Sequence, residues 1–262
     1  MSHGPTPLTS TAPGAPAAGE GYRYDRFTTR LMLADLRFGA DAPRPGSPFP
    51  TFALDAPGGG SISSASLAGR PFLLILGSLT CPMTAGSAAG LLALHEAFGA
   101  HVEFVSVYAR EAHPGERIPQ ASTAAEKRTN AEALAARDGY AWPIAVDSLD
   151  GALHRQLDAK PNAAFLVDAS GQLAFRSIWA ADDAGLRAAL AAVVGGERPR
   201  RGTSTAMVGP MLRALPWIDL IVRGGGRSAS RDLWRAAPPM ALMARMARAV
   251  CSRGHEPGRG RG

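Results

Sequence analysis

Apolar and polar residues follow one another in blocks whose period changes repeatedly between residues 51 and 194. Phe72 to Leu76 is an unbroken apolar run, the mark of a strand buried on both faces, and Val102 to Tyr108 reads the same way. Between them Leu91, Leu92, Leu94 and Phe98 recur at helical spacing and predict a helix over Thr84–Phe98. Thr123–Arg137 is Ala-rich and helical. Pro143–Val146 and Ala164–Val167 read as short strands, with a short helix near Leu149–Gln156 between them. Gln172–Ile178 follows the tight-turn pair Ser170-Gly171 and predicts the return strand of a hairpin. Leu186, Leu190 and Val193 mark Ala181–Val194 as a closing amphipathic helix. This order predicts an α/β chain of the thioredoxin-like type, with a mixed, partly parallel central sheet and helices on both faces.

The flanks read differently. Met1–Gly19 is rich in Pro, Gly, Ala, Ser and Thr and reads as disordered. Tyr22–Phe38 carries Phe27, Leu31, Leu33 and Leu36 and predicts a short helix, and Asp41–Pro50, with four prolines, is a turn-rich lead-in. Thr51–Leu54 and Ser61–Ser63 flank Pro57-Gly58-Gly59-Gly60 as a hairpin. Beyond Glu197, Pro210–Val222 and Arg231–Val250 combine Met, Trp and Leu with arginine, and Arg245 and Arg248 share a helix face. Such helices pack on the core or on a second subunit, or lie on anionic lipid. The first is the expected fate here, with Gly224–Gly226 and Pro238-Pro239 breaking the segment into short pieces and Arg213 and Pro216 interrupting the apolar run of Pro210–Val222. Ser252–Gly262 reads as frayed. The division is a disordered terminus over 1–21, a helical lead-in over 22–45, a thioredoxin-like domain over 46–196 and an Arg-rich extension over 197–262.

Charge follows that division. The 262 residues carry a net +6, but residues 198–262 hold 13 arginines against Asp219, Asp232 and Glu256, and residues 1–197 hold 15 basic against 19 acidic side chains. The basic balance therefore belongs to the extension and argues against nucleic acid as a partner of the main domain. No run of 18 apolar residues and no signal-peptide pattern is present, so a cytoplasmic location is expected. Two cysteines, Cys81 and Cys251, do not suffice for a disulfide framework, and the six histidines show no metal-ligand spacing, so no metal is expected. Gly224-Gly225-Gly226 lacks the strand–helix frame of a phosphate loop.

Candidate chemistry gathers at Gly77-Ser78-Leu79-Thr80-Cys81-Pro82-Met83-Thr84, where the first central strand ends and a helix begins. With Pro82 as the first helical residue, Cys81 is the N-cap. A thiolate there meets free backbone N–H groups and the positive end of the helix dipole, which predicts a depressed thiol pKa and nucleophilic reactivity. Ser78 and Thr80 are positioned to donate hydrogen bonds to the sulfur. Tyr108-Ala109-Arg110-Glu111-Ala112-His113-Pro114 follows the second strand and reaches the same sheet edge. His113 is the candidate proton donor or thiolate partner, with Glu111 to orient its ring. Cys251 is far along the chain, and nothing local brings it to Cys81.

These two segments resemble the iodothyronine deiodinase family of thioredoxin-fold proteins. The family carries Gly-Ser-x-Thr-selenocysteine-Pro after its first central strand and Tyr-x-x-Glu-Ala-His-Pro after its second, and Ile118-Pro119-Gln120 also matches. The resemblance spans about Gly46–Val194, and the lead-in is similar to that of peroxiredoxins and redoxins. It implies that Cys81 stands in for selenocysteine, that His113 and Glu111 are the catalytic histidine and its acidic neighbour, and that Thr80, Ser78 and Tyr108 line the site. It also implies that Pro161 is the cis-proline facing the cysteine. Ala121 replaces a second family histidine, Pro161-Asn162-Ala163 lacks the arginine of the hormone clamp, and Leu79 stands where some members have an auxiliary cysteine. What the resemblance implies is thus a thiol oxidoreductase rather than a thyronine deiodinase. It needs no cofactor beyond an external thiol reductant and works through a sulfenyl or sulfenic intermediate on Cys81. The alternatives are a peroxiredoxin-like thiol peroxidase, for which Ser78 fits and Leu74 replaces the expected proline, and a non-catalytic scaffold binding membrane or an acidic partner through its basic tail.

Overall fold

The computed structural model describes residues 21–253, with side chains to residue 248. The segments read as disordered or frayed at the two termini lie wholly or largely outside the described residues, as does the Cys251 side chain. The chain enters through a short helix α1 (Thr29–Ala34), whose N-cap Thr28 accepts a hydrogen bond from the Leu31 N–H. A hairpin follows, β1 (Ala53–Asp55) and β2 (Ser61–Ser63), with Ala53 opposite Ser63. Its turn closes through Gly59 and Gly60 at φ +97° and +78°, a backbone that glycine adopts without steric cost.

The central motif is β3 (Phe72–Gly77), α2 (Pro82–Phe98) and β4 (Glu103–Tyr108), with β3 and β4 parallel and in register from Phe72/Glu103 to Gly77/Tyr108. Then come α3 (Ala124–Asp138), β5 (Ile144–Val146), α4 (Ala152–Gln156), β6 (Ala164–Val167), β7 (Leu173–Ser177) and α5 (Asp183–Val194). Helix α3 begins with a capping box between Thr123 and Glu126. A two-residue edge strand β8 (Thr203–Ser204) is followed by α6 (Val208–Gly225), α7 (Arg227–Ala236) and α8 (Pro238–Arg253).

The eight strands of the described residues form one mixed sheet in the order β2-β1-β5-β4-β3-β6-β7-β8. Its centre, β4-β3-β6-β7, joins a parallel β–α–β unit to an antiparallel hairpin and closing helix, which is the thioredoxin-like arrangement. All six residues of β3 are buried. One face packs Leu73 and Ile75 with Leu91 and Leu94 of α2 and Leu186 and Leu190 of α5. The other packs Leu74 and Leu76 with Leu153 and Leu157 and with Phe49 and Phe52 of the lead-in. The apolar run is thus explained by two covered faces.

The C-terminal helices dock on this core. Helix α6 lies against α2 so closely that a Cβ on Gly86 would stand 2.8 Å from Ala214 Cα. Arg213 donates to the Ala181 carbonyl at 2.9 Å and pairs with Asp183 at 2.9 Å. Packing on the core is therefore what these helices do. Pro216 does not break α6. It removes one main-chain donor, and burial of Ala214, Ile218, Ile221 and Val222 on the opposite side holds the helix through it. The breaks fall at Gly226, φ +127°, and between α7 and Pro238.

Candidate active site

Strand β3 ends at Gly77, a tight turn puts the Cys81 N–H 3.3 Å from the Ser78 carbonyl, and α2 starts at Pro82 with Cys81 as N-cap. The thiol is at the carboxyl end of a parallel strand, where such sheets place reactive groups. Cys81 is 1% exposed and packs with Met83, Ala112, Ile178, Trp179 and Ala214. It borders a cavity of about 70 Å³, whose polar lining is Asp35 and His113 and whose walls include Phe27, Leu36 and Pro161.

The expected depressed thiol pKa is overturned. Burial pushes the Cys81 thiol up to about 11, although the Thr84 hydroxyl and the Met83 and Thr84 amides favour its thiolate. The N-cap position supplies the stabilising groups, but removal of the anion from water outweighs them. Neither expected donor, Ser78 or Thr80, forms a hydrogen bond to the sulfur, and the Thr80 proton goes to Glu111. Ser78 Oγ accepts the Ala112 N–H at 3.3 Å, and Thr80 Oγ1 donates to Glu111 at 2.6 Å while accepting the His113 N–H at 3.1 Å. Thr84, one turn into α2, is the hydroxyl beside the sulfur. It stands where a C-x-x-C motif has its second cysteine, so this site has no resolving thiol in that place.

Glu111 does not orient His113, also contrary to expectation. Its carboxylate is buried and accepts from the Thr80 N–H at 3.0 Å, from the Thr80 hydroxyl and from the Tyr108 hydroxyl. Glu111 acts on His113 only through Thr80 and the His113 main chain. Gln120, from the Ile-Pro-Gln segment, clasps this loop by accepting the Glu111 N–H and donating to the Glu111 carbonyl, each at 2.9 Å. Ser78, Thr80, Tyr108 and Glu111 thus form a hydrogen-bonded frame behind the cavity, whereas Cys81, His113 and Pro161 line it.

His113 itself is buried, its ring 4.1 Å from that of Phe27, and burial pushes its pKa down to about 4. It is a neutral imidazole at pH 7. Its Nδ1 has no hydrogen-bond partner among the described residues, which leaves it free for a bound molecule. The bond before Pro161 is trans rather than the cis bond expected. Lys160 is held at both ends, its carbonyl by His154 Nε2 at 2.8 Å and its Nζ by the Ala34 carbonyl at 2.7 Å, and the ordinary trans preference stands.

Sequence reasoning missed Asp35 and the lid that carries it. Asp35 lines the cavity, and burial pushes its carboxyl up to about 7, against the opposing pull of Lys160 and Arg110 and with the help of Asp158. Nothing local in the sequence ties it to Cys81. The Thr84 signal was legible, since a residue three after an N-cap reaches back to it. The lid is the 22–38 segment laid against α7. Arg26 binds Asp232 through Nη2 at 2.9 Å and Nε at 3.2 Å, and Thr29 Oγ1 donates to the Ala236 carbonyl at 3.0 Å. Replacing Asp232 by Ala is expected to raise the rate of Cys81 alkylation by iodoacetamide about tenfold, by making local opening easier. An unchanged rate would remove this ion pair from control of access.

No family model and no curated protein matches the chain. Among solved structures, an uncharacterized conserved protein from Geobacillus kaustophilus aligns with a TM-score of 0.51 at 16% identity, over 61% of this chain and 87% of that one. A thiol:disulfide interchange protein of the thioredoxin family from Chlorobium tepidum TLS aligns with a TM-score of 0.45 at 18% identity, over 58% and 98%. These likenesses concern the fold.

Proposed function

We propose that the chain is a thiol-dependent oxidoreductase with one reactive cysteine, which reduces a hydroperoxide through a sulfenic acid on Cys81. The observation that carries this reading is Cys81, as N-cap of α2, beside an apolar cavity whose polar lining is Asp35 and His113. Asp35, poised near neutrality, accepts the thiol proton as substrate enters. The thiolate attacks the terminal oxygen, the O–O bond breaks, and sulfur is oxidised while the substrate leaves as an alkoxide. The proton held by Asp35 returns to that oxygen, and the neutral His113 ring offers it a hydrogen bond. The step converts thiol and hydroperoxide to sulfenic acid and alcohol. An external thiol then condenses with the sulfenic acid, releasing water, and a second one restores Cys81 as the external disulfide forms.

The deiodinase-like motifs support the same core chemistry, a lone sulfur nucleophile attacking an electrophile. Cavity size favours the hydroperoxide. An apolar cavity that binds one benzene ring measures about 150 Å³, and here there is about 70 Å³.

The test is to expose the protein to an organic hydroperoxide across pH, trap the sulfenic acid with dimedone and compare Asp35→Asn. In wild type, thiol alkylation rises with pH toward the midpoint of about 11. The Asp35 charge opposes thiolate formation, so Asp35→Asn moves that profile to lower pH. Turnover near neutral pH is nevertheless expected to fall about 10²-fold, because the proton acceptor is lost. Faster turnover in the variant would exclude Asp35 as that acceptor, and absence of a trapped adduct on Cys81 would refute the reading.

A further inference from the structure

The C-terminal helices bury one side on the core and leave the other unusually apolar. Helix α6 exposes Leu212 and Leu220, α7 exposes Trp234, and α8 exposes Leu242, Met243 and Met246. On α8 the three apolar side chains lie on the face opposite the buried Ala241 and Ala244, with Arg245 beside them. Where the helices meet, a cleft of about 380 Å³ is lined by Arg117, Arg223, Arg227 and Asp219, with Trp234 and, from the buried side of α8, Ala241. Arg223 pairs with Asp219, which also holds Arg248. The Arg117 and Arg227 guanidinium groups have no carboxylate partner among the described residues, while the Arg227 main-chain N–H donates to the Glu116 carboxylate.

We propose that the exposed surface of these helices seats on an anionic lipid bilayer, with the apolar side chains entering the acyl boundary and the arginines of the cleft beside Trp234 meeting lipid phosphate. Charge decides the occupant. Of the seven arginines in residues 208–248, Arg213 is turned to the core and pairs with Asp183; the other six stand against Asp219 and Asp232, so pairing the face with a second copy would oppose two cationic surfaces. An apolar stripe bordered by arginine is the composition that lies in a headgroup interface. No described helix is long and apolar enough to cross a membrane, so the contact is a surface one. The inference stands apart from the chemistry at Cys81.

The test uses the full chain with sedimenting vesicles of phosphatidylcholine alone or with phosphatidylglycerol. Binding is expected to the anionic vesicles only and to weaken steeply with added salt. The triple variant Leu242→Ser, Met243→Ser, Met246→Ser, at exposed sites where the fold is not at stake, is expected to bind at least tenfold more weakly. Arg117→Gln with Arg227→Gln is expected to bind more weakly and with a shallower salt dependence. Equal binding to neutral vesicles, or no binding to anionic ones, overturns the proposal. So does a triple variant that binds as wild type while inorganic phosphate competes fully, which would assign the cleft to a soluble anion. A dimer in sedimentation velocity that the triple variant dissolves would assign the face to a second copy, and binding to polyglutamate in place of vesicles would assign it to an acidic chain.

Discussion

Cys81→Ser is expected to abolish thiol-dependent hydroperoxide turnover, a loss of about 10³-fold or more, while the protein stays folded. A serine hydroxyl in this cavity has neither the polarisable sulfur nor an accessible anion, and loss of a nucleophile that works with partner groups removes nearly all of their joint effect. The neighbouring hydroxyl of Thr84 does not substitute for it. The structural cost is small because the exchange is nearly isosteric. The new hydroxyl is buried among Met83, Ile178 and Trp179, but Thr84 Oγ1 is itself without a hydrogen-bond partner and is available to it. One satisfied polar group in such a site costs about 1–2 kcal/mol. The measurement is peroxide-dependent oxidation of dithiothreitol alongside thermal unfolding. A variant that melts normally and still turns over would move the chemistry away from Cys81.

That expectation rests on features of unequal legibility. The apolar runs Phe72–Leu76 and Val102–Tyr108, the helix between them and the hairpin at Ser170-Gly171 are all local patterns, and they appear in the structure within a few residues of where the sequence puts them. The N-cap position of Cys81 was legible for the same reason, since proline after a strand end marks a helix start. The sign of its pKa shift was not. Burial of the sulfur comes from Trp179, Ala214 and the lid, which are remote in the chain, and no window around Cys81 contains them. Asp35 reaches the cavity by the same long-range packing. Thr80 was misread because its proton has two competing acceptors, the sulfur and Glu111 of the 108–113 loop, and Glu111 wins, while Ser78 Oγ accepts the Ala112 N–H of the same loop. Pro216 shows the converse, a local breaker overridden by an apolar face docked on α2.

Glu111 carries the second large expectation. Glu111→Ala is expected to lower stability by about 3–5 kcal/mol and to reduce turnover as well. The carboxylate is the acceptor for three buried donors, the Thr80 N–H, the Thr80 hydroxyl and the Tyr108 hydroxyl. Thr80 is fully buried and Tyr108 is 1% exposed, so water does not replace the lost partner. Each donor left unpaired costs about 1–3 kcal/mol, which places the sum at the upper end of single-residue effects. Turnover falls because Thr80 Oγ1 also holds the His113 N–H, so loosening Thr80 displaces the His113 ring from the cavity. Glu111→Gln separates shape from charge. Its amide oxygen still accepts both Thr80 donors, and the Tyr108 hydroxyl turns to accept from the amide nitrogen, for a cost of about 1 kcal/mol. Burial raises the Glu111 pKa above its unfolded value, so the carboxyl's contribution to stability is fully present below about pH 4.5 and declines as pH rises through the folded value. The stability gap between wild type and Glu111→Gln is therefore expected to narrow from pH 4.5 toward neutrality, measured by urea unfolding at each pH. A gap that widens with pH would mean that the folded protein favours the ionised carboxylate, as a partner that orients a charged His113 would.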